Sequence, residues 1–570
     1  MPQICRHRRG DFGGISGEPL PLTLTKNSSS NIPLPKGGST SHPSRRDHLQ
    51  TQSAWNAHMN AEFPPLNRRL LRGGYQPPPG LEMGSLAERP IRILQFGEGN
   101  FLRAFADWMV DRLNSAGAWS GDVAVVQPIR QGLAQALNEQ EGLFTVLLRG
   151  MEQGRPVEAR RLVTSVRRAL NPYAEWAEVL ALARRPELRF VISNTTESGI
   201  VYAEEPWTEN CPDSFPAKVA ALLAERHRAW NGAPDKGLVF LPCELIDRNG
   251  DHLREAVRRH IHNGKNLPVG LDEWVEKHNH FLCTLVDRIV TGYPADEANR
   301  LGQELGYTDR LLVAGEHFYL WVIEGPAAIA EELPLHRAGL NVLWTADLEP
   351  YRTRKVRVLN GAHTAGALAA FLAGARTVRE MMLDPLLGRV VRQAVFGEIL
   401  PNLQLPEGEK RQYAEAVLDR FANPHIRHEL LSIALNSVSK WRTRVLPSLI
   451  AGLAATRRPP PVLAFSLAAL ICFYRPTVRE KGEWKGGGAR AEYPLRDEAS
   501  ALAVFEQAWR RFATPKDAED LARAILAHAP FWGCDLNELS GLTPAVVRGV
   551  RSIIVRGARA ALEELMAQSE

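Results

Sequence analysis

No two cysteines in this chain are spaced as Cys-x-x-Cys. The six thiols, Cys5, Cys211, Cys243, Cys283, Cys472 and Cys534, are scattered, which argues against structural zinc and suits reduced thiols in a cytoplasm. The histidine pairs His278/His280 and His425/His428 lack converging cysteines or carboxylates, so no metal is expected. Long apolar runs are also missing. The longest, Val462 to Phe473, is interrupted by Ser466 and falls short of the ~20 residues of a membrane helix; it reads as a buried helix. No charged-then-apolar leader opens the chain. Basic residues do not gather into a stripe, and a net charge of +5 is modest for this length, so neither nucleic acid nor a membrane is an expected partner. What remains is the composition of a soluble globular protein, 44% hydrophobic and 23% charged over 570 residues, which is too long for a single core. The oligomeric state stays open, with a monomer admissible.

Residues 1–88 are rich in Ser, Pro, Gly and Arg, as in Ser28-Ser29-Ser30 and Pro77-Pro78-Pro79. They show no apolar period long enough for an element, so a disordered extension is expected. From residue 89 the texture changes. Ile91 to Phe96 reads as a strand, Gly97-Glu98-Gly99-Asn100 as a tight turn, and Phe101 to Leu113 as a helix. Such a turn lets backbone approach a pyrophosphate and aims helix N-terminal amides at it. Gly97 and Gly99 fit the first two glycines of the dinucleotide fingerprint, but Leu102 occupies the third position. A second strand, Val123 to Gln127, ends without the Asp or Glu that would bind a ribose. Arg189 to Ser193 and Gly237 to Pro242 read as further buried parallel strands. The loops beyond them place Asn194, Thr196, Glu197 and Asn249 at strand carboxyl ends, where ligands bind in open α/β sheets; each could equally be a helix cap.

Beyond about residue 345 the strand signals fade. Helical patterns follow at 365–374, 415–422, 426–441, 461–474, 500–511, 517–527 and 545–566. The expected architecture is therefore α/β: a Rossmann-type dinucleotide-binding domain over residues 89–345, then an all-α domain over 346–570. The stretch Lys355-Val356-Arg357-Val358-Leu359-Asn360-Gly361-Ala362-His363 stands at the start of the second domain. At 100° per residue, Lys355, Asn360 and His363 share an arc of roughly 140° with Val356 and Leu359. Burying an ammonium, an amide and an imidazole on one apolar face calls for partners. A desolvated lysine can act as general acid/base and an asparagine amide can donate to an oxygen gaining charge; a polar cluster locking two helices would have the same spacing. Downstream, the cationic run that includes Lys440 and Arg444 is either a solvated face or a fork for a substrate carboxylate.

Five segments in order, Gln95–Ala104, Ser193–Glu197, Leu241–Ile246, Thr284–Ile289 and Lys355–His363, resemble the mannitol dehydrogenase family of long-chain polyol dehydrogenases, over some 480 residues. In that family the turn runs Gly-x-Gly and then Arg-Ala, here Arg103-Ala104. The resemblance implies metal-free, NAD-linked chemistry in a cleft between a Rossmann-type and a helical domain. Lys355 would be the general acid/base, Asn360 would polarise the carbonyl, His363 would hold a neighbouring hydroxyl, and Asn249 would be a second amide donor. Phe96, Gly97, Gly99, Asn100, Phe101 and Arg103, with Asn194, Thr196 and Glu197, would form the cofactor edge. The Cys243-Glu244-Leu245-Ile246 variant resembles the uronate-reducing branch, which implies reduction of a keto-hexuronate to a hexonate. A fructuronate-reducing or mannitol-type polyol-acting member, or a dinucleotide sensor on the same fold, remains the alternative.

Overall fold

The computed structural model describes residues 63–480, 483–487 and 492–568. Its first domain carries β1 (Leu81–Met83), β2 (Ile91–Phe96), β3 (Asp122–Val126), β4 (Phe144–Glu152), β5 (Arg155–Val163), β6 (Val166–Leu170), β7 (Phe190–Ser193), β8 (Val239–Pro242), β9 (His280–Phe281), β10 (Cys283–Asp287), β11 (Val290–Gly292), β12 (Val313–Glu316), β13 (Leu320–Glu324) and β14 (Val342–Thr345). Six of these form a wholly parallel sheet in the order β6-β3-β2-β7-β8-β9. Counted along the chain this is 3-2-1-4-5-6, the doubly wound dinucleotide order. Its central strands are buried on both faces. Ile93, Val123, Val125, Ile192 and Leu241 pack on one side, and Leu94, Phe96, Val126, Val191 and Phe240 on the other, so the strands read as unbroken apolar runs.

Two smaller sheets complete the domain, β1-β5-β4-β12-β11 and β10-β13-β14. The first corrects the expected extent of the disordered extension. Residues 63–88 belong to the fold: Arg68–Arg72 is helical, β1 pairs with β5, and Leu66, Leu71 and Leu81 are buried against Leu147, Leu162 and Leu305. Composition hid this because three leucines spaced through a Pro-Gly-rich strap have no helical or strand period. Residues 1–62 lie outside the described residues.

The second domain is built around the helix Pro461–Phe473, buried from Val462 to its end. Ser466 is tolerated there because its hydroxyl donates to the Leu463 carbonyl and accepts from the Trp441 indole. The expected helix over 426–441 is broken, since Asn436 adopts φ +54° between helices Leu430–Ile433 and Ser437–Arg444. The domain is also not purely helical: β15 (Pro476–Glu480), β16 (Glu483–Gly486) and β17 (Tyr493–Leu495) form an antiparallel sheet. No helix among the described residues is long and apolar enough to cross a membrane.

Candidate active site

The dinucleotide edge begins where β2 ends. Gly97 has φ +121°, and a Cβ there would come within 2.9 Å of the Asn194 carbonyl oxygen, so the position requires glycine. Gly99 has nothing within 4 Å of where a Cβ would stand. The outer side of the turn is therefore open, and the first-turn amides beyond it have no helical partners. Strand order, open turn and free amides together fit a dinucleotide. Behind the turn, the Gln95 carboxamide donates to the Gly97 carbonyl at 3.0 Å and to Asp107 Oδ2 at 3.2 Å. At the end of β7, Thr196 stands at φ +109°, ψ +164°, a region nearly reserved for glycine and held only where the surroundings compel it. Glu244 compels it in part: its buried carboxylate accepts from the Thr195 amide and hydroxyl and from Ser193 Oγ.

Four expected contact residues turn out to be supports. The Phe96 ring is fully buried and packs on Phe215 at 5.0 Å between centroids. Arg103 is buried, donates to the Leu311 carbonyl and to Asn100 Oδ1, and lies over the Phe144 ring, so its guanidinium braces the turn from within. Asn249 cannot be a substrate donor as placed. Its two amide hydrogens are shared among the carbonyls of Pro242, Glu244 and Thr284, and its oxygen accepts from the Thr284 amide, which saturates it as a pin between β8 and β10. Asn194 likewise ties two loops through Cys243 O, Phe101 stacks on Phe105, and Asn100 remains exposed. The Glu197 side chain lies outside the described residues.

Lys355, Asn360 and His363 lie on one continuous helical run, Glu349–Arg354, a π-helical segment Lys355–Asn360, and Gly361–Ala373. Pi-helical turns inside α-helices are rare and recur at functional sites. Lys355 reaches back to the first domain, donating to the Val286 carbonyl at 2.8 Å with Nζ 3.9 Å from Asp287. The Asn360 carboxamide has no hydrogen-bond partner among the described residues. The His363 ring stacks on Phe421, faces His428 edge-on, and has a buried Nε2 with no hydrogen-bond partner among the described residues. Burial, then the charges of His428, Arg420, Arg444 and Lys440, holds His363 well below the usual imidazole range. That last pair arrives by close packing: a Cβ on Gly361 would be 3.1 Å from the Arg444 carbonyl. Lys440 donates to the Ile433 carbonyl, and the half-buried Arg444 guanidinium has no hydrogen-bond or ion-pair partner among the described residues. Burial, with Arg444 adding to it, lowers the Lys440 pKa.

A buried ion cluster under Lys355 had little signal in the sequence. Arg420 donates to both Asp287 oxygens and both Glu316 oxygens at 2.9–3.1 Å, and Tyr413 donates to Asp287. Burial works to raise Asp287, but the charges of Arg420 and Lys355 outweigh it and hold the carboxyl below its usual range. Two carboxylates against Arg420 and Lys355 balance, as a buried cluster requires. Asp287 lies within the Thr284–Ile289 segment noted above, which was the available signal; Glu316 and Arg420 had none. Among the described residues no group of three His, Cys, Asp or Glu could hold a metal ion.

A dinucleotide-ordered sheet in one domain, with a helical domain whose Lys355 reaches back to β10 of the first, defines a two-domain dehydrogenase architecture. Residues 91–337 match the mannitol dehydrogenase Rossmann domain and residues 347–554 the mannitol dehydrogenase C-terminal domain, and the chain belongs to the mannitol dehydrogenase family. It is 48% identical over 479 residues to the altronate oxidoreductase of Cronobacter sakazakii, covering 84% of this chain and 97% of that one. To the altronate oxidoreductase of Escherichia coli O1:K1 it is 46% identical over 482 residues, covering 84% and 98%. Its fold is shared with a D-sorbitol dehydrogenase in substrate-free form (TM-score 0.70, 21% identity, 87% and 100% covered). It is also shared with Pseudomonas fluorescens mannitol 2-dehydrogenase, solved with NAD and D-mannitol (TM-score 0.59, 22% identity, 88% and 99% covered).

Proposed function

We propose that this chain is an NAD-dependent oxidoreductase that interconverts a keto-hexuronate and a hexonate, with D-tagaturonate and D-altronate as the pair. The observation that carries the reading is the Lys440–Arg444 cation pair beside the Lys355, Asn360 and His363 run. A neutral polyol has no use for two cations without carboxylate partners; a sugar acid does. NAD, when bound, supplies the hydride acceptor for alcohol oxidation and, in reduced form, the donor for ketone reduction. Lys355 Nζ gives a proton to the ketone oxygen in reduction and takes it from the hydroxyl in oxidation, a balanced role that needs no Lewis acid. The Asn360 carboxamide donates to that oxygen as it gains charge. Neutral His363 bonds a neighbouring hydroxyl without adding a third positive charge, and the Arg444 fork with Lys440 receives the carboxylate. The described thiols, all free, accord with a cytoplasmic enzyme.

The test is the loss of reduced-cofactor absorbance with purified protein, NADH and, separately, tagaturonate, fructuronate and fructose. Tagaturonate should be reduced fastest. Equal or faster turnover of fructose would remove the sugar-acid reading, and faster turnover of fructuronate would reassign the substrate.

A further inference from the structure

Cofactor choice in this sheet order is made at the carboxyl end of the second strand, where a carboxylate binds the adenosine ribose of NAD and would repel a 2′-phosphate. Here that strand is β3, and Gln127 follows it. Its carboxamide is buried and turned inward, donating to the Ile129 and Arg130 carbonyls and accepting from the Ala134 amide. Glu98, the nearest acid on the turn, is also buried, and accepts from the Leu133 amide. Burial raises its pKa. Three residues beyond Gln127, Arg130 is exposed and stacked on the Tyr173 ring, Cζ 4.4 Å from its centroid. Tyr173 follows the neighbouring β6, donates to the Pro128 carbonyl, and takes the ammonium of buried Lys218 on its own hydroxyl. The strand end therefore presents a braced guanidinium where a carboxylate would be needed to exclude phosphate. Acidic groups are present but engaged otherwise. Asp213 meets Arg130 at 3.0 Å with both side chains some three-quarters exposed, a pair too weak to hold the guanidinium against a phosphate. Glu205 is occupied by the Asp213 and Ser214 amides.

We infer that this enzyme accepts NADPH as well as NADH, with Arg130 on Tyr173 as the group that receives the 2′-phosphate. The inference rests on the dinucleotide reading of the sheet given above. A charge-assisted contact of this kind changes affinity about 10- to 100-fold. The test is direct binding, by calorimetry or quenching of tryptophan fluorescence, of NADH and NADPH to the parent, Arg130→Glu and Asp213→Asn at low and moderate salt. The parent should bind NADPH within about tenfold of NADH, and the preference should fall with salt as a phosphate contact requires. Arg130→Glu should shift the NADPH:NADH affinity ratio toward NADH by about 10- to 100-fold, and Asp213→Asn should shift it the other way. NADPH binding roughly 100-fold weaker than NADH in the parent, or an unmoved ratio in Arg130→Glu, would overturn this inference alone. Binding of neither cofactor would overturn it together with the dinucleotide reading.

Discussion

Asp107 offers a test of the support beneath the cofactor turn. The residue is fully buried at the end of the π-helical segment Arg103–Asp107. Its Oδ2 accepts from Gln95, while Oδ1 and the Gln95 Oε1 are both buried without partners among the described residues. Burial raises the carboxyl from its ordinary 3.8 to about 7, with the Gln95 bond and Arg103 pulling back and Asp111 adding to the rise. A folded pKa above the unfolded one means stability that is complete below about pH 3.8 and is lost as the pH climbs through 7. At about 1.4 kcal/mol for each tenfold in proton affinity, the loss reaches roughly 4 kcal/mol by pH 8. Asp107→Asn has the shape of the protonated acid and never ionises. It keeps an oxygen for Gln95 and adds a donor among acceptors that lack one. The variant should match the parent near pH 4, exceed it by about 1.5 kcal/mol at pH 5, and by roughly 4 kcal/mol at pH 8. Urea midpoints at these pH values, followed by far-UV ellipticity, measure the difference. A gap that does not grow with pH, or a variant weaker than the parent at pH 8, would show that Asp107 is not held protonated and would refute the argument.

Lys355→Ala should lower turnover by about 10²–10⁴ while NADH still binds, and a small primary amine should restore part of the rate; a variant with the parent's rate and pH profile would free Lys355 of the proton transfer. Asn360→Ala should lower turnover by about 10²–10³ through loss of one donor to the reacting oxygen, with the parent's pH profile still visible. Arg444→Ala should raise KM for the sugar acid about 10- to 100-fold with less effect on kcat, and an unchanged KM would place the carboxylate elsewhere. A chain beginning at residue 89 lacks the buried Leu66, Leu71 and Leu81, each worth about 1.5–3 kcal/mol of burial, and its thermal midpoint should fall by several degrees; an unchanged midpoint would make the 63–88 strap dispensable.

How legible each part was in the sequence follows from where its information resides. Strands β2, β3, β7 and β8 could be read because strands covered on both faces are continuous apolar runs, and the turn because Gly97 needs a backbone that no side chain allows. Lys355, Asn360 and His363 could be grouped because they share one helix. Their environment could not be. Asp287, Glu316 and Arg420 come from β10, β12 and the Glu407–Phe421 helix, and no local period links charges that meet only in the tertiary fold. Asn249 was misjudged for the same reason: a strand-end asparagine is equally apt to bind ligand or backbone, and only the carbonyls of Pro242 and Thr284 decide.

The 100° spacing put Lys355, Asn360 and His363 on one helical run for an incomplete reason. It assumed α-helical turns through Lys355–Asn360, where the chain is π-helical, so each turn there is wider and the angles drawn from 3.6 residues do not apply. The widened turn has a use. A long side chain leaving it can extend out of the second domain to Val286 and Asp287, while the regular turns that follow keep His363 against Phe421 and beside the Ser437–Arg444 helix. One uninterrupted helix thus serves both domains, with Lys355 against Val286 and Asp287 of β10 and His363 near Lys440 and Arg444. The other π-helical segment at this site, Arg103–Asp107, follows the cofactor turn and sets Arg103 and Asp107 beneath it. In both places the irregular turn falls where a polar side chain leaves its own helix to meet another element.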